Sequence, residues 1–236
     1  MQLEVLKNFP LFQNLPQEAL VEFARLCVDR SFEKNEMIYL RGETEGRTFF
    51  LISGEVRLYR SSAGEKVVIQ VLRPGEIFGD FSFVGHPSDL LSENYAQTTH
   101  PTKVCVIMSS DLGKLLARFP VLAMVMLVTL RNRLHQTESK IKDLALSTAR
   151  TRVINELIRY ASSHGKAANG FYEIEDKLTH QSLAEMTGLT RETVTKTLNS
   201  LEEDGFISYQ PDRTLRLNRD KILNDCMDCI QLAKSM

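Results

Sequence analysis

The spacing of apolar residues changes near residue 110, and this change limits what the chain can fold into. Residues 31–108 contain short runs rich in Val, Ile, Phe and Tyr, separated by glycines. Such runs are typical of β-strands in a compact roll or sandwich. After residue 110, apolar or small residues recur at alternating steps of four and three, which indicates one face of a long helix. They are Ala123, Leu127, Leu130, Leu134, Thr137, Ile141 and Leu144.

A seven-residue repeat on one helix face is the pattern of a two-stranded coiled coil. The flank RNRLHQTESKIKD holds too few apolar residues for a helix that is buried on all sides. The alternative is a long helix that packs on its own domain. We predict that the chain forms a homodimer through this helix. The predicted interface residues are Leu127, Leu130, Leu134, Thr137, Ile141 and Leu144.

Composition gives no overall attraction for nucleic acid, because the formal net charge is −1 at pH 7. Residues 148–220 contain ten Lys and Arg against eleven Asp and Glu, so a DNA-binding surface has to be a local patch. The longest uninterrupted apolar stretch, 121–128, is far shorter than the roughly 20 residues that cross a bilayer. The first residues lack the pattern of a secretory signal. We expect a cytoplasmic protein with no membrane partner.

The segment THQSLAEMTGLTRETVTKTLNSLEEDGFI, residues 179–207, is the most specific pattern in the sequence. Thr179 and Thr190 stand where two helices would begin, and Gly188 supplies the tight turn between them. The following residues, GFISYQPDRTLRL, show two short strands about a Pro-Asp turn, which predicts a wing. The alternative is an ordinary amphipathic helix pair whose charges form a solvated face. We predict a winged helix-turn-helix.

The second helix of this segment has the arrangement that a DNA recognition helix needs, because its first turns can enter a major groove. Arg191 and Lys196 suit guanine O6 and N7, and Glu192 can accept from a cytosine amino group. The residues predicted to read bases are Arg191, Glu192, Thr195 and Lys196. The residues predicted to bond phosphates are Thr179, Thr190 and Thr193. The expected partner is a double-stranded DNA palindrome with half-sites like TGTGA.

A length of 236 residues suits two compact units, each with its own core. We predict an α+β chain in three parts. Residues 1–110 form an effector-sensing β-roll that begins with short helices, and residues 111–147 form the dimerisation helix. Residues 148–236 form the winged helix-turn-helix domain, in which a break near 147–149 precedes a first helix, KAANG is a loop, and a C-terminal tail follows.

Three stretches resemble the cyclic-AMP receptor and fumarate-nitrate regulator family of bacterial transcription regulators. They are ISGEVRLYR at 52–60, PGEIFGD at 74–80 and LTRETVTKTLNSLEEDGFI at 189–207. The resemblance extends over nearly the whole chain. It implies a cyclic-nucleotide-binding-type β-roll, a long dimerisation helix and a C-terminal winged helix-turn-helix. It also implies a homodimeric regulator that binds DNA, contacts RNA polymerase and responds to a small-molecule effector.

The resemblance further implies an effector pocket at the residues that align with the family's nucleotide-binding cassette. Gly79 of that cassette is kept, and Asp80 stands in place of a ribose-binding Glu. Asn94 and Tyr95 stand in place of Arg and Ser, and on the long helix Glu138 replaces a Ser. The predicted pocket residues are Gly79, Asp80, Phe81, Ser82, Asn94, Tyr95, Thr137 and Glu138.

These departures predict that the effector is not cyclic AMP. A cyclic phosphate carries a negative charge, which a partly closed pocket tolerates only beside a positive or multiply donating partner. Asn94 offers no charge, Tyr95 would crowd the phosphate site, and Glu138 adds negative charge to that of Asp80. The pocket is instead empty, filled by its own side chains or suited to a different small molecule. The sequence leaves the effector and any cofactor open.

The four cysteines do not form the dense disulfide framework of a small secreted domain. Cys27 and Cys105 lie in apolar segments, and we expect them to be small buried hydrophobes. The sequence has no cysteine before Cys27, which excludes the usual N-terminal iron-sulfur cluster of the oxygen-sensing branch. Cys226 and Cys229 are candidates for a redox or metal-linked pair, and the alternative is a pair of exposed tail thiols.

Other functions need residues that the sequence lacks or shows only weakly. The histidines show no metalloprotease or zinc spacing, and no nucleophile elbow is present, so we do not expect an enzyme. A haem sensor would use His86, His100 or His135, although a lone histidine is more often structural. A regulator without any effector is a further alternative.

Overall fold

The computed structural model divides the chain into two compact units, Met1–Thr137 and Glu138–Met236. The boundary between the two units falls inside a long helix, so each unit contains part of that helix. The described residues are 12–13, 15–44, 46–62, 64–81, 93–168, 170–175, 178–212 and 214–225.

The first unit contains two four-stranded antiparallel sheets. Their strands are β1 (Val28–Phe32), β2 (Met37–Tyr39), β3 (Arg47–Ser53), β4 (Val56–Ser62), β5 (Glu65–Leu72), β6 (Ile77–Gly79), β7 (Tyr95–Thr98) and β8 (Thr102–Met108). The strand order is β1-β8-β3-β6 in one sheet and β2-β7-β4-β5 in the other. Many neighbouring strands are distant in the chain, as in a roll. The predicted β-roll is confirmed.

Strand β8 supplies side chains to two different cores, because successive residues of a strand point to opposite faces. Val104 belongs to the core inside the roll, with Phe49 and Leu51 of β3. Cys105 and Ile107 point to the other face and pack against two helices. These helices are α1 (Gln17–Leu26) and α2 (Ser109–Arg118).

The predicted single helix over 111–147 is wrong in its first part. The structure has two helices there, α2 and α3 (Pro120–Leu146), which are bent by 118° relative to each other. Proline lacks the backbone N–H that continues a helix and disfavours helical geometry at the preceding residue. Phe119 accordingly has φ −124° and ψ 80°. Helix α2 therefore belongs to the core that also contains Cys105 and Ile107, where Leu112 and Leu115 are buried.

No single helix among the described residues is long and apolar enough to cross a membrane. The bent pair α2 and α3 reaches the required length and composition only when both helices are taken together.

Cys27 and Cys105 are buried, as expected, but they are not separate small hydrophobes. Their sulfur atoms form a disulfide across 78 residues of sequence, and their Cα atoms are 5.8 Å apart. Cys27 lies at the end of α1, directly before β1, and β1 pairs with β8. The prediction failed because the sequence shows each cysteine alone in an apolar segment, whereas the antiparallel pairing brings them together.

The second unit begins with the last turns of α3 and continues with α4 (Ala149–His164). Thr148 lies in the predicted break and caps α4, since its hydroxyl accepts a hydrogen bond from the Thr151 N–H at 3.2 Å. The remaining elements are β9 (Gly165–Ala168), β10 (Phe171–Ile174), α5 (His180–Thr187), α6 (Arg191–Glu203), β11 (Ile207–Tyr209), β12 (Leu215–Asn218) and α7 (Arg219–Asp225).

The strands of the second unit form one sheet in the order β11-β12-β10-β9. The predicted wing is confirmed, because β11 and β12 pair antiparallel on either side of the Pro-Asp turn. The segment KAANG was predicted to be a loop, and this is wrong for its first residues, which belong to β9. Lys and Ala have low strand propensity, so this strand depends on its pairing with β10, where Tyr172 and Ile174 are buried.

Candidate nucleic-acid interface and effector pocket

Helices α5 and α6 form the helix-turn-helix, and local bonds define where each begins. The Thr179 hydroxyl accepts a hydrogen bond from the Ser182 N–H at 3.0 Å, and the Thr190 hydroxyl accepts one from the Thr193 N–H at 3.2 Å. Gly188 ends α5 in the left-handed region, with φ 65° and ψ 33°. Glycine adopts this conformation at least cost. The predicted caps and turn are confirmed.

One face of α6 is buried and the other is open. Its buried face consists of Val194, Leu198 and Leu201, each at most 3% exposed. Arg191, Glu192 and Lys196 are exposed on its first turns. This arrangement follows from the helical period, because buried side chains at steps of four and three leave the intervening positions to solvent. The sequence-predicted base readers Arg191, Glu192 and Lys196 therefore share one accessible end of α6.

The side chains of Arg191, Glu192 and Lys196 make no hydrogen bond or ion pair with any other part of the described chain. Other basic side chains of the unit are paired. Arg150 lies 2.7 Å from Asp204, measured from Nη2 to Oδ2, and Arg216 forms an ion pair with Glu173. The two basic side chains at the start of α6 are thus available to an anionic partner.

The three threonines predicted to contact phosphate are used within the helices. The Thr190 and Thr193 hydroxyl oxygens lie 2.8 Å apart, and the Thr179 hydroxyl also donates to Ser182 Oγ at 3.0 Å. Thr179 and Thr190 are exposed at helix N-termini, where backbone N–H groups and the helix dipole favour anions. Their capping role does not prevent a phosphate contact, which stays a prediction.

Thr195 differs from the other predicted base readers because its hydroxyl already has partners. Its oxygen lies 2.9 Å from the Arg191 carbonyl oxygen and 2.9 Å from His180 Nδ1. His180 is the first residue of α5, so this contact ties the two helices together. The sequence analysis missed His180, because a single histidine at a helix start carries no spacing pattern.

The predicted effector pocket begins where β6 ends. Gly79 has φ 95°, and a Cβ there would lie 2.5 Å from the Arg47 carbonyl oxygen, so only glycine fits. Asp80 is 7% exposed, and its backbone carbonyl accepts hydrogen bonds from the Thr48 and Ser109 hydroxyls. Phe81 packs against the core under the first sheet. Ser82 lies outside the described residues.

Two further predicted pocket residues belong to the other sheet, since Tyr95 begins β7 and Asn94 directly precedes it. Asn94 Oδ1 accepts a hydrogen bond from Arg60 Nε at 3.1 Å, and the Tyr95 ring stacks on Tyr59 at 5.1 Å between centroids. Arg60 therefore brings a positive charge next to Asn94, which the sequence analysis did not foresee. Glu93 lies 3.1 Å from Arg60 and balances that charge.

Helix α3 reaches the roll through Gln136, and the charges of the roll act on Arg133; neither residue was predicted to belong to the site. Gln136 Oε1 lies 3.4 Å from Gln70 Nε2 on β5, and Gln70 Nε2 also contacts Glu76 Oε1 at 3.5 Å. Burial lowers the pKa of Arg133, although the charges of Tyr39 and Glu76 oppose this effect. The predicted pocket residue Thr137 instead donates its hydroxyl to the Arg133 carbonyl oxygen at 2.9 Å and is exposed, as is Glu138.

Glu76 is the acidic partner in this region. Burial raises its pKa, while a hydrogen bond from the Arg73 N–H and the charges of Arg73 and Arg133 oppose the increase. Arg133 and Gln136 lie in a helix flank that is mostly hydrophilic, so no pattern in the sequence distinguishes them from residues that simply face solvent.

The predicted interface residues of α3 form an exposed stripe, which we call the dimer stripe. Leu127, Leu130, Leu134, Ile141 and Leu144 are between 42% and 60% exposed, and Thr137 is also exposed. Apolar side chains in a continuous exposed row indicate an interaction surface. Leu144 also lies near the turn of the helix-turn-helix, because a Cβ at Gly188 would lie 3.3 Å from the Leu144 Cδ2.

The last turns of α3 are attached to α4 by a buried polar cluster within the second unit. Asp143 is 8% exposed, binds Arg159 and accepts a hydrogen bond from Asn155 at 3.1 Å. Arg159 also lies 3.1 Å from Glu156. Burial lowers the pKa of Lys140 beside them. Breaking a buried ion pair costs about 3–5 kcal/mol, so this cluster fixes the end of α3 to the DNA-binding unit.

The described residues include no group of three or more His, Cys, Asp or Glu side chains that could hold a metal. His100 Nδ1 lies 3.0 Å from the Thr99 hydroxyl, and His135 is exposed. His86, Cys226 and Cys229, the other residues considered for haem, redox or metal chemistry, lie outside the described residues.

Two family models match separate parts of this chain. The model of the cyclic nucleotide-binding domain matches residues 29–119, and the model of the Crp-like helix-turn-helix domain matches residues 151–224. They correspond to the roll with α2 and to the helix-turn-helix with its wing.

Curated relatives and solved structures agree with these matches. A global nitrogen regulator of Nostoc sp. is 34% identical over 183 residues, which are 77% of this chain and 81% of the relative. A CRP-like cAMP-activated global transcriptional regulator of Mycobacterium tuberculosis is 25% identical, covering 93% and 97%. The structure of the c-di-GMP responsive regulator CLP of Xanthomonas campestris has a TM-score of 0.74 at 20% identity, covering 86% and 99%. The chain therefore belongs to the cyclic-AMP receptor and fumarate-nitrate regulator family of transcription regulators.

Proposed function

We propose that this regulator works as a homodimer that binds a palindromic DNA site and that a small molecule other than cyclic AMP controls its binding. The single observation that carries the proposal is that helix α3 runs from the sensor unit into the DNA-binding unit and exposes the dimer stripe along its length. Its residue Gln136 contacts Gln70 of the roll, its dimer stripe is exposed, and its last turns are bound to α4. One helix thus connects the sensor, the expected partner copy and the DNA-binding unit.

DNA recognition rests on the accessible start of α6. Arg191 and Lys196 bind guanines and Glu192 accepts from cytosine, which favours half-sites like TGTGA. Thr179, Thr190 and Thr193 position the unit on phosphates. In a two-fold dimer the recognition helices lie about 34 Å apart, one turn of DNA. The regulator acts in the cytoplasm and contacts RNA polymerase bound nearby.

The contact of Gln136 with the roll, and the effect of the roll's charges on Arg133, support control by an effector. A ligand in the roll that interacts differently with these two side chains in two arrangements of α3 would shift the balance between those arrangements. The rings of Tyr59 and Tyr95 are already stacked on each other, and the charge of Arg60 is already balanced by Glu93. These contacts support an effector with a shape and charge different from cyclic AMP.

Selection of DNA from a random pool by the purified chain tests the proposal. We expect one enriched palindrome whose half-sites are centred about 10 base pairs apart. Repeating the selection with cyclic AMP should change neither the sequence nor the yield. Enrichment of a site without two-fold symmetry would contradict the dimeric mode of binding.

A redox-controlled regulator is a second candidate, because one observation favours it. The disulfide between Cys27 and Cys105 joins the end of α1 to β8 in the sensor unit. Under this alternative, reduction of the purified protein changes its affinity for the selected palindrome, whereas an effector-controlled regulator binds equally well with or without reductant.

A further inference from the structure

The Thr195 hydroxyl makes two hydrogen-bond contacts, and the donor of each can be assigned. Its oxygen lies 2.9 Å from the Arg191 carbonyl oxygen and 2.9 Å from His180 Nδ1. A carbonyl oxygen only accepts, so the hydroxyl must give its single hydrogen to Arg191. To make the second bond, His180 Nδ1 must then carry a hydrogen and donate it. Both contacts exist together only in this arrangement.

This accounting limits what Thr195 can offer to a DNA base. The hydroxyl cannot donate to guanine O6, to a purine N7 or to thymine O4, because its hydrogen is already committed. Besides the hydroxyl, the threonine side chain can offer only its methyl group. Thr195 is partly exposed and lies between Arg191 and Lys196 on the same end of α6.

We infer that Thr195 reads thymine through its methyl group, by apolar contact with the C5-methyl of the base, and that His180 is a positioning residue that holds the side chain in this orientation. Contact between a threonine methyl and the thymine methyl is a known form of major-groove readout. The inference rests on the proposed function, because it requires α6 to lie in the major groove.

Replacing thymidine by deoxyuridine tests the inference most directly, since uracil lacks only the C5-methyl. Each thymine of the selected half-site is replaced in turn in both half-sites. For the unmodified protein, one replacement should weaken binding about fourfold per half-site, the factor expected for one buried methyl group. The other replacements should have little effect.

Two substitutions separate the methyl group from the hydroxyl. Thr195→Val keeps a methyl and removes the hydroxyl, so it should retain the preference for thymine over uracil. Thr195→Ser keeps the hydroxyl and removes the methyl, so it should bind both duplexes equally at that position. If Val loses the preference and Ser keeps it, the hydroxyl reads the base and the inference is wrong.

His180 is tested by its conservative variant. Asn can place an amide N–H near the position of Nδ1, so His180→Asn should keep the thymine preference, whereas His180→Ala should reduce it. Thermal melting of each variant separates loss of positioning from loss of folding. Equal thymine preference in the unmodified protein and His180→Ala would remove His180 from the inference.

The outcomes also separate this inference from the proposed function. If the protein selects a site without two-fold symmetry, the proposed mode of DNA binding fails before Thr195 is tested. If it selects a palindrome but no thymine-to-uracil replacement weakens binding, the DNA-binding mode stands and the methyl contact is wrong.

Discussion

The start of α6 and the effector region of the roll are built from similar residue types but use them differently. Arg191, Glu192 and Lys196 point away from the described chain and have no partner within it. In the roll, Asp80 supports neighbouring hydroxyls through its backbone, and Asn94 and Tyr95 are held by Arg60 and Tyr59. The side chains of the first region are available to a large external partner, whereas the predicted pocket residues of the second already contact other residues of the roll.

This difference shows where specificity resides in each unit. A recognition helix can vary its exposed residues at little cost to folding, because α6 is held by Val194, Leu198 and Leu201 on its opposite face. A pocket inside a roll shares its residues with the core, so a change of ligand requires several contacts to change together. The predicted DNA-binding surface therefore depends on one helix, whereas the predicted effector site depends on several segments that are distant in the chain.

The largest expected effect tests whether two copies of the chain bind DNA together as a dimer. Leu130→Lys with Leu134→Glu places charges in the dimer stripe, where they would be buried against a partner copy. We expect a monomer at micromolar concentration by sedimentation. Operator affinity should fall by about 10²–10⁴-fold, because two linked half-site contacts become independent.

A matched control carries the same charges elsewhere on the helix. Asn132→Lys with His135→Glu changes exposed residues on the face opposite the dimer stripe, and this variant should remain dimeric. If the stripe variant is still a dimer with unchanged affinity, α3 does not form the interface.

The next effect concerns the sensor unit alone. Reduction of the disulfide between Cys27 and Cys105 should lower the free energy of unfolding of that unit by roughly 4 kcal/mol, because the closed loop spans 78 residues. Hydrogen exchange should rise in β1 and β8 and stay unchanged in α6. Residues 138–225 contain no cysteine, so α6 provides an internal control.

Thiol counting decides whether the bond is present. The denatured but unreduced protein should show two reactive thiols, and a variant with Cys226→Ser and Cys229→Ser should show none. Four thiols in the unreduced protein would show that the disulfide is absent, and the expected stabilisation would then be wrong.

The same division between local and distant contacts separates the features that the sequence predicts from those that it does not. The caps Thr179 and Thr190, the Gly188 turn and the buried face of α6 depend on residues within one or two helical turns, and the sequence predicted them. The disulfide, strand β9 and the approach of Arg133 to the roll depend on segments that meet only in the fold. The bend at Pro120 is also a local feature, but it differs from the single helix that was predicted.

A smaller effect separates base reading from phosphate contact on the recognition surface. Arg191→Ala should reduce discrimination at one base position by about 1–3 kcal/mol, the value of a bidentate contact, measured with operators changed at each position. Thr179→Asn keeps a good helix cap and should leave base preference unchanged. Thr179→Asp also keeps the cap but brings negative charge to the predicted phosphate contact, so it should weaken all operators alike.

Salt dependence provides the check on this pair. Thr179→Asp should alter the dependence of affinity on salt, since it acts on the phosphate contact. Uniform weakening by both Arg191→Ala and Thr179→Asp, with no change of base preference, would mean that Arg191 contacts the DNA backbone.

The smallest expected effect lies in the effector pocket. The unmodified protein should not bind cyclic AMP with low micromolar affinity in calorimetry, because Asn94 offers no charge to the phosphate. A new charge-assisted contact contributes about 1.5–3 kcal/mol. Asn94→Arg should gain less than this and improve binding by about tenfold at most, since the new guanidinium lies beside Arg60 and both share Glu93.

Removal of the competing charge makes this last prediction decisive. Arg60→Gln combined with Asn94→Arg leaves Glu93 with Arg41, which is 4.0 Å away, and with the new arginine. Glu93 then pairs with the new arginine and withdraws it from the phosphate. Glu93→Gln combined with Asn94→Arg removes that carboxylate, so it should bind cyclic AMP more tightly than either Asn94→Arg or the first combination. Asn94→Gln, which lengthens the side chain without charge, should bind none. Low micromolar binding by the unmodified protein, together with tighter operator binding, would show that the internal contacts of Asn94 and Tyr95 do not exclude the nucleotide, and the contrast between the two regions would fail at the pocket.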